Sequence, residues 1–261
     1  MNSISVIIPT YTAYKHLWIC LDSFGKSVKK NDNVELVVVH DNKESVQFYN
    51  TINTFKKLYK HVSIKVVDFN KNCGLSTATN VGVYVATGTH ILVVNDDNVF
   101  DKCWYTSMRD LLLHKEFERN TVIVPNQVEP TQSIFKQFVK ADFGQTPEEF
   151  NYDKFIKFTE TINTYKWDTS GWTLPFLMAK KDFMKVGGWD TSYPSGHVVD
   201  WDFFYKCKLN GYKSIRLYNT HFYHFGSVSS NKIKEVHGHD YFRFKWGEYC
   251  KSNPKTNEKF I

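Results

Sequence analysis

The chain has 261 residues, with 33 Lys and Arg against 27 Asp and Glu, which leaves a formal charge of +6. That length accommodates one large domain or two small ones around a sizeable core. The basic excess is mild and suits phosphorylated ligands or an anionic surface, while the lack of a dense basic block or an interleaved basic–aromatic stripe argues against nucleic acid. Five scattered cysteines without a Cys-x-x-Cys pair indicate neither a disulfide framework nor a zinc site, so reduced thiols and a cytoplasmic setting are expected. No stretch approaches the ~20 apolar residues of a membrane span. The N-terminus lacks the charged and apolar regions of a secretion signal.

In chain order, Ser5 to Ile8 reads as an apolar strand ending in Pro9-Thr10-Tyr11. Leu17, Cys20, Leu21, Phe24 and Val28 recur at helical spacing. Val34 to Val39 is a second strand, closed by His40-Asp41-Asn42, and Glu44 to Tyr59 is a helix. Val62 to Phe69 is a third strand. Ser76 to Ala86 is a helix of small residues, with Gly88 as its expected C-terminal cap. Ile91 to Val94 is a fourth strand. Val122 to Val124 is another, and the polar, aromatic stretch from Gln127 to Lys166 follows no clear period. Beyond it come a strand (Trp172 to Ala179), a short helix (Lys180 to Val186), and a Gly187-Gly188 turn that requires positive φ. Val199 to Leu209 is a helix, Ser214 to Tyr218 a strand, and Asp240 to Cys250 a final helix in a polar tail.

Strand–helix alternation predicts a Rossmann-like, mostly parallel sheet flanked by helices. Thr10, Tyr11, Asp41, Asp96 and Asp97 then fall on one edge of the sheet, where open α/β folds bind ligands. The run Asn95-Asp96-Asp97-Asn98 has two readings. Adjacent carboxylates repel unless a cation or a donor-rich ligand lies between them, and hard cations such as Mg²⁺ and Mn²⁺ favour such oxygens. Alternatively, Asp97 or Asn98 caps a helix beginning near Asp101.

Several motifs occur in a set order: Val6-Ile7-Ile8-Pro9-Thr10-Tyr11, Val37-Val38-Val39-His40-Asp41-Asn42, Asn72-Cys73-Gly74-Leu75-Ser76 leading to Asn80, and Ala86-Thr87-Gly88 before Asn95-Asp96-Asp97. Gly187-Gly188-Trp189-Asp190, Asp200-Trp201-Asp202 and His224-Phe225-Gly226-Ser227 follow. On these, roughly across residues 4–228, the chain resembles family 2 glycosyltransferases, GT-A fold enzymes that transfer a sugar from a nucleotide-diphosphate donor. The resemblance implies one GT-A domain over 1–228, with a nucleotide-sugar half (1–100), an acceptor-side α+β half (101–228), and a tail (229–261).

It also implies roles. Pro9, Thr10, Tyr11, Asp41, Asn72, Asn80 and Asp96 would hold the donor nucleotide, although Asp41 also suits an Asx turn and Asn80 equally suits a packed helix. Asp97 and His224 would bind Mn²⁺ or Mg²⁺, with Asn95 replacing the first acid of the usual Asp-x-Asp. Asp200 would be the general base of an inverting displacement, beside Val199 where a glutamate is common. Asp202, two residues on, would face away from Asp200 on a helix and support it. Trp172, Trp189 and Asp190 fall on the acceptor side, Trp189 also suiting the core and Asp190 a turn. The implied partners are a UDP-, GDP- or dTDP-linked sugar and a glycan, glycoprotein or lipid-linked acceptor, with peripheral membrane contact compatible. A catalytically inactive nucleotide-sugar binder of the same fold is the competing reading, on Asn95 and Val199. A nucleotidyltransferase is disfavoured because Thr10 to Lys15 has no glycine for a phosphate loop.

Overall fold

The computed structural model describes residues 2–114, 120–131, 138–193, 196, 198–226 and 238–247. Its first half alternates as expected: β1 (Ile4–Thr10), α1 (Tyr14–Ser27), β2 (Val34–Asp41), α2 (Val46–Leu58), β3 (Ser63–Phe69), α3 (Leu75–Val85) and β4 (His90–Val93). Then follow β5 (Asn98–Phe100), α4 (Trp104–Leu112), β6 (Thr121–Glu129), β7 (Val139–Lys140), α5 (Tyr152–Ile162) and β8 (Trp167–Asp168). The remainder is β9 (Phe176–Ala179), α6 (Lys180–Lys185), α7 (Val199–Leu209), β10 (Lys213–His224) and α8 (Gly238–Trp246).

One sheet runs in the order β3-β2-β1-β4-β9-β6-β10-β5, with β7 beside β6 and β8 beside β10. The β3-β2-β1-β4 half is parallel, and β9 enters antiparallel to both β4 and β6. The sheet is thus a mixed, mostly parallel α/β sheet with its helices on both faces. Alternation along β1 explains this: Ile4, Val6 and Ile8 face the layer of α1, α2 and α4, while Ile7 faces α3, α6 and α7. A third cluster joins α5 to β10 through Phe155, Ile156, Tyr223 and Phe225.

The small residues of α3 serve close packing. A Cβ on Gly82 would lie 2.5 Å from Ile7 Cγ2 and 3.0 Å from Val39 Cγ2. Gly82→Ala is therefore expected to destabilise the fold by about 1–3 kcal/mol, read as a lowered denaturation midpoint.

Several expectations need correction. Asp97 and Asn98 do not cap a helix: Asn98 opens β5, α4 begins only at Trp104, and Asp101 bonds the Cys103 N–H at 2.9 Å just before it. Ala86, not Gly88, is the C-cap of α3; the Gly88 N–H donates to Ser5 Oγ at 2.8 Å instead. The strand expected from Trp172 begins at Phe176, since Pro175 offers no N–H to a ladder. The Gln127–Lys166 stretch holds the end of β6 and all of α5, and β10 runs to His224 rather than stopping at Tyr218. Gly187 and Gly188 have positive φ, 85° and 59°, as the turn requires. Ser227 and the expected helix end at Cys250 lie outside the described residues. Among the described residues no helix is long and apolar enough to cross a membrane.

Candidate active site

Parallel pairing brings the ends of β1, β2 and β4 to one edge, with Thr10 opposite His40 and Ile7 opposite Val93. Asn95-Asp96-Asp97 leaves β4 at that edge. The far end of β10 returns to the same place, because it pairs antiparallel with β5 and sets His224 opposite Asn98. The Phe225 N–H donates to the Asp97 carbonyl at 3.3 Å and fixes the junction.

The two aspartates are held differently. Asp96 Oδ2 accepts the Thr10 hydroxyl at 2.7 Å, and burial together with the neighbouring Asp97 pushes its pKa up to about 7. Asp97 is buried too, but His224 and, more distantly, His16 outweigh that burial and hold it below the usual carboxylate range. Asp97 Oδ2 lies 3.6 Å from His224 Nε2, and Asp97 Oδ1 is buried without a hydrogen-bond partner among the described residues. Glu129, at the end of β6, lies 2.9 Å from the other ring nitrogen, His224 Nδ1. Burial alone would lower His224; the carboxylates of Asp97 and Glu129 raise it to about 10 instead. An unpartnered buried acceptor is costly. Once a cation displaces the Nε2 proton, a carboxylate oxygen and an imidazole nitrogen facing each other are a donor set that Mn²⁺ or Mg²⁺ accepts. Among the described residues no three His, Cys, Asp or Glu side chains form a ready cation site, so two protein ligands are what this edge offers.

On the β2 side, Asp41 Oδ1 accepts the Cys73 N–H at 2.6 Å and Oδ2 the Gly74 N–H at 2.9 Å. Asn72 Oδ1 accepts the same Gly74 N–H at 2.9 Å. These bonds pin the loop before α3, where Gly74 has φ +90°. Burial raises Asp41 despite its two backbone donors, and each oxygen keeps a lone pair for a ligand. Pro9 is buried within β1, whereas Tyr11 stands exposed just past its end. Asn80 turns out to be a clamp: its Nδ2 donates to the Trp189 carbonyl at 2.8 Å and its Oδ1 accepts the Trp189 N–H at 2.9 Å. Of its two readings the packed-helix one matches this geometry, since both ends of the amide hold the Gly188-Trp189 turn.

The base candidate and the residues expected on the acceptor side are held in four different ways. Asp200 sits buried in the first turn of α7. Asp202 is fully buried one helical step away, and its Oδ1 accepts from Trp246 Nε1 at 2.8 Å, Lys245 Nζ at 2.7 Å and the Tyr193 hydroxyl at 3.3 Å. Its Oδ2 is buried without a hydrogen-bond partner among the described residues, with the Lys206 ammonium 3.4 Å away. Asp190 accepts the Ser192 N–H at 2.8 Å, as in an Asx turn, and the Lys245 ammonium at 2.7 Å. Trp172 and Trp189 are 3% and 2% exposed within the core beneath α3 and α7, so neither offers a face on which a sugar could stack.

Sequence reasoning missed Glu129. Its partner is 95 positions away, and the strand that carries it lay in the stretch without a period. Only its place at a strand end, a few residues after a Val-Ile-Val run, hinted at the edge.

A sequence model of the family described as "Glycosyl transferase family 2" matches residues 5–183. An uncharacterized glycosyltransferase of Bacillus subtilis (strain 168), YwdF, is 33% identical over 97 residues, 37% of this chain and 33% of that one. Among solved structures, S. aureus TarS 1–349 superposes with a TM-score of 0.60 at 18% identity, covering 85% of this chain and 60% of that one. The same TarS fragment in complex with UDP-GlcNAc gives 0.59 at 19% identity, covering 87% and 61%. GalNAc-T7 with UDP, GalNAc and Mn²⁺ gives 0.64 at 15% identity, covering 86% and 44%. The chain thus spans a third of the curated relative and less than two thirds of these structures, and the structural likeness is one of fold, the GT-A arrangement.

Proposed function

The chain belongs to glycosyl transferase family 2, and from this we propose that it transfers a sugar from a nucleotide-diphosphate donor to a hydroxyl of a glycan, glycoprotein or lipid-linked acceptor, with inversion. The observation that carries the reading is the convergence of Thr10, Asp41, Asp96, Asp97 and His224 on one sheet edge, with Asp97 and His224 facing each other at 3.6 Å. We take residues 1–228 as the catalytic unit. A uridine donor is favoured, because TarS and GalNAc-T7 are described with UDP-GlcNAc and with UDP.

In this reading Asp41, with Tyr11 and the loop at Asn72, receives the nucleoside. Asp96, bonded to Thr10 and partly protonated near neutral pH, borders the diphosphate with less repulsion than a second full anion would exert. Asp97 and His224 would hold Mn²⁺ or Mg²⁺, which supplies Lewis-acid neutralisation of the departing diphosphate. Asp200 takes the proton of the acceptor hydroxyl as its oxygen bonds the anomeric carbon and the bond to diphosphate breaks. A single displacement inverts the anomeric centre.

Glu129 supports the site through His224. With its carboxylate on Nδ1, the ring is fixed with Nε2 toward Asp97, the second-layer arrangement common to metal-binding histidines. Glu129→Ala is expected to weaken Mn²⁺ binding about 10–100-fold, measured by electron paramagnetic resonance of free Mn²⁺ in the presence of UDP.

The test of function is a panel of UDP-, GDP- and dTDP-sugars, scored for nucleotide-diphosphate release with and without Mn²⁺. Turnover of one donor class, dependent on Mn²⁺, is expected. Tight nucleotide binding without turnover across a broad acceptor set would instead favour the inactive binder, the reading to which Asn95 and Val199 point.

A further inference from the structure

The helix that carries Asp200 does not hold its own beginning. Val198, before it, is a β-branched residue at φ +56°, a costly left-handed conformation, and among the described residues no side chain caps the helix. What holds α7 lies in its first turn, at Asp202. Three donors meet on Asp202 Oδ1, and two of them, Lys245 and Trp246, come from α8. Lys245 Nζ also lies 2.7 Å from Asp190 Oδ2, so one ammonium ties α7 to the turn after Trp189. That turn is in turn clamped by Asn80 from α3. Lys206, one helical turn on, approaches Asp202 Oδ2 at 3.4 Å and donates to the Gly188 carbonyl at 2.5 Å.

Aromatic packing runs parallel to the charges. Trp201 meets His239 and Phe242 edge-on at 5.3 and 6.3 Å, and Tyr205 meets Trp246 at 4.7 Å. Phe242 is 2% exposed, so α8 is docked and not a solvated tail. A buried carboxylate with several charge-assisted bonds resists displacement, because losing one partner leaves charge uncompensated.

We propose that α8 is a strut for the catalytic helix: through Lys245 and Trp246 on Asp202 it sets the position of Asp200, making Lys245 and Asp202 positioning residues of the transfer reaction. The inference deepens the proposed function and rests on Asp200 acting as the base. It also gives residues 238–247 a role in turnover.

The test uses the full chain with Lys245→Met, Lys245→Arg and Trp246→Phe, each checked for cooperative thermal unfolding. The first readout needs no substrate: in Lys245→Met, hydrogen exchange of the amides of residues 199–203 should quicken about tenfold or more while β1, β2 and β4 stay protected. Lys245→Arg, which keeps the cation, should restore protection, and Trp246→Phe should give a smaller local effect. If Lys245→Met does not fold, the Trp246→Phe exchange pattern decides. The second readout is transfer from the donor class that the panel identifies. Lys245→Met should lower kcat with the donor KM unchanged, and this loss should vanish in an Asp200→Asn background, since the two residues act through one group. Unchanged exchange at 199–203, or effects of Lys245→Met and Asp200→Asn that simply multiply, would overturn the inference. Full activity in Asp200→Asn alone would overturn the base assignment, and the exchange measurement would still decide whether α8 holds α7.

Discussion

Asp200→Asn is expected to lower kcat for sugar transfer by about 10³-fold, the middle of the range for loss of a positioned general base. The substitution keeps size and hydrogen-bonding capacity but removes the carboxylate's basicity. Asp200 lies in the first turn of α7, away from the Asp96–Asp97 edge in sequence and on a different element, so nucleotide binding should be unaffected. The expected pattern is therefore a collapse of kcat with an unchanged donor dissociation constant. Comparable losses in both would mean that Asp200 shapes the donor site and does not act on the acceptor hydroxyl.

The second large effect falls on Asp97. Asp97→Ala removes the carboxylate that His224 faces at 3.6 Å, and with it one of the two proposed ligands of a divalent cation. Mn²⁺ stimulation should disappear, and transfer should fall about 10²-fold or more, matching several kcal/mol of lost charge stabilisation at the leaving diphosphate. Asp96→Asn should be much milder. Asp96 is already pushed toward the neutral form, and an amide oxygen can still accept from Thr10. A reversed order of severity would mean that Asp96, and not Asp97, is the cation ligand.

The first half of the chain was legible because its apolar strands each stop abruptly on polar residues and are separated by amphipathic helices. Pattern alone then places Thr10, Asp41 and Asp97 on one edge, and the family resemblance adds roles to them. The second half resisted for physical reasons. β10 reads as ending at Tyr218 because Asn219, Thr220 and His221 are polar, yet the strand continues through a register shift. Two of them are satisfied by a distant partner: Asp101 accepts the Thr220 hydroxyl at 3.0 Å and the His221 N–H at 2.8 Å. Arg216, fully buried in the same strand, donates to the carbonyls of Ser170 and Pro125. No local pattern reveals such pairings.

Asn80 illustrates the converse case. Its place in a motif suited a ligand contact and a packed helix equally, and here its amide bridges a backbone N–H and C=O across 109 positions. The tryptophans teach a similar lesson, since a large aromatic side chain next to a glycine turn fills core volume as readily as it stacks on a sugar. Helical geometry turns Asp202 from Asp200, and the fold buries it under Lys245 and Trp246.

Whether the Asp97–His224 edge binds a nucleotide diphosphate together with a divalent cation is decided by calorimetric titration of UDP into the full chain, with and without Mn²⁺. One UDP per chain is expected, bound at least about tenfold more tightly with Mn²⁺, a gain lost in both Asp97→Ala and His224→Ala. UDP affinity indifferent to Mn²⁺ in the unaltered protein, or a Mn²⁺ gain that survives in both variants, would contradict this reading.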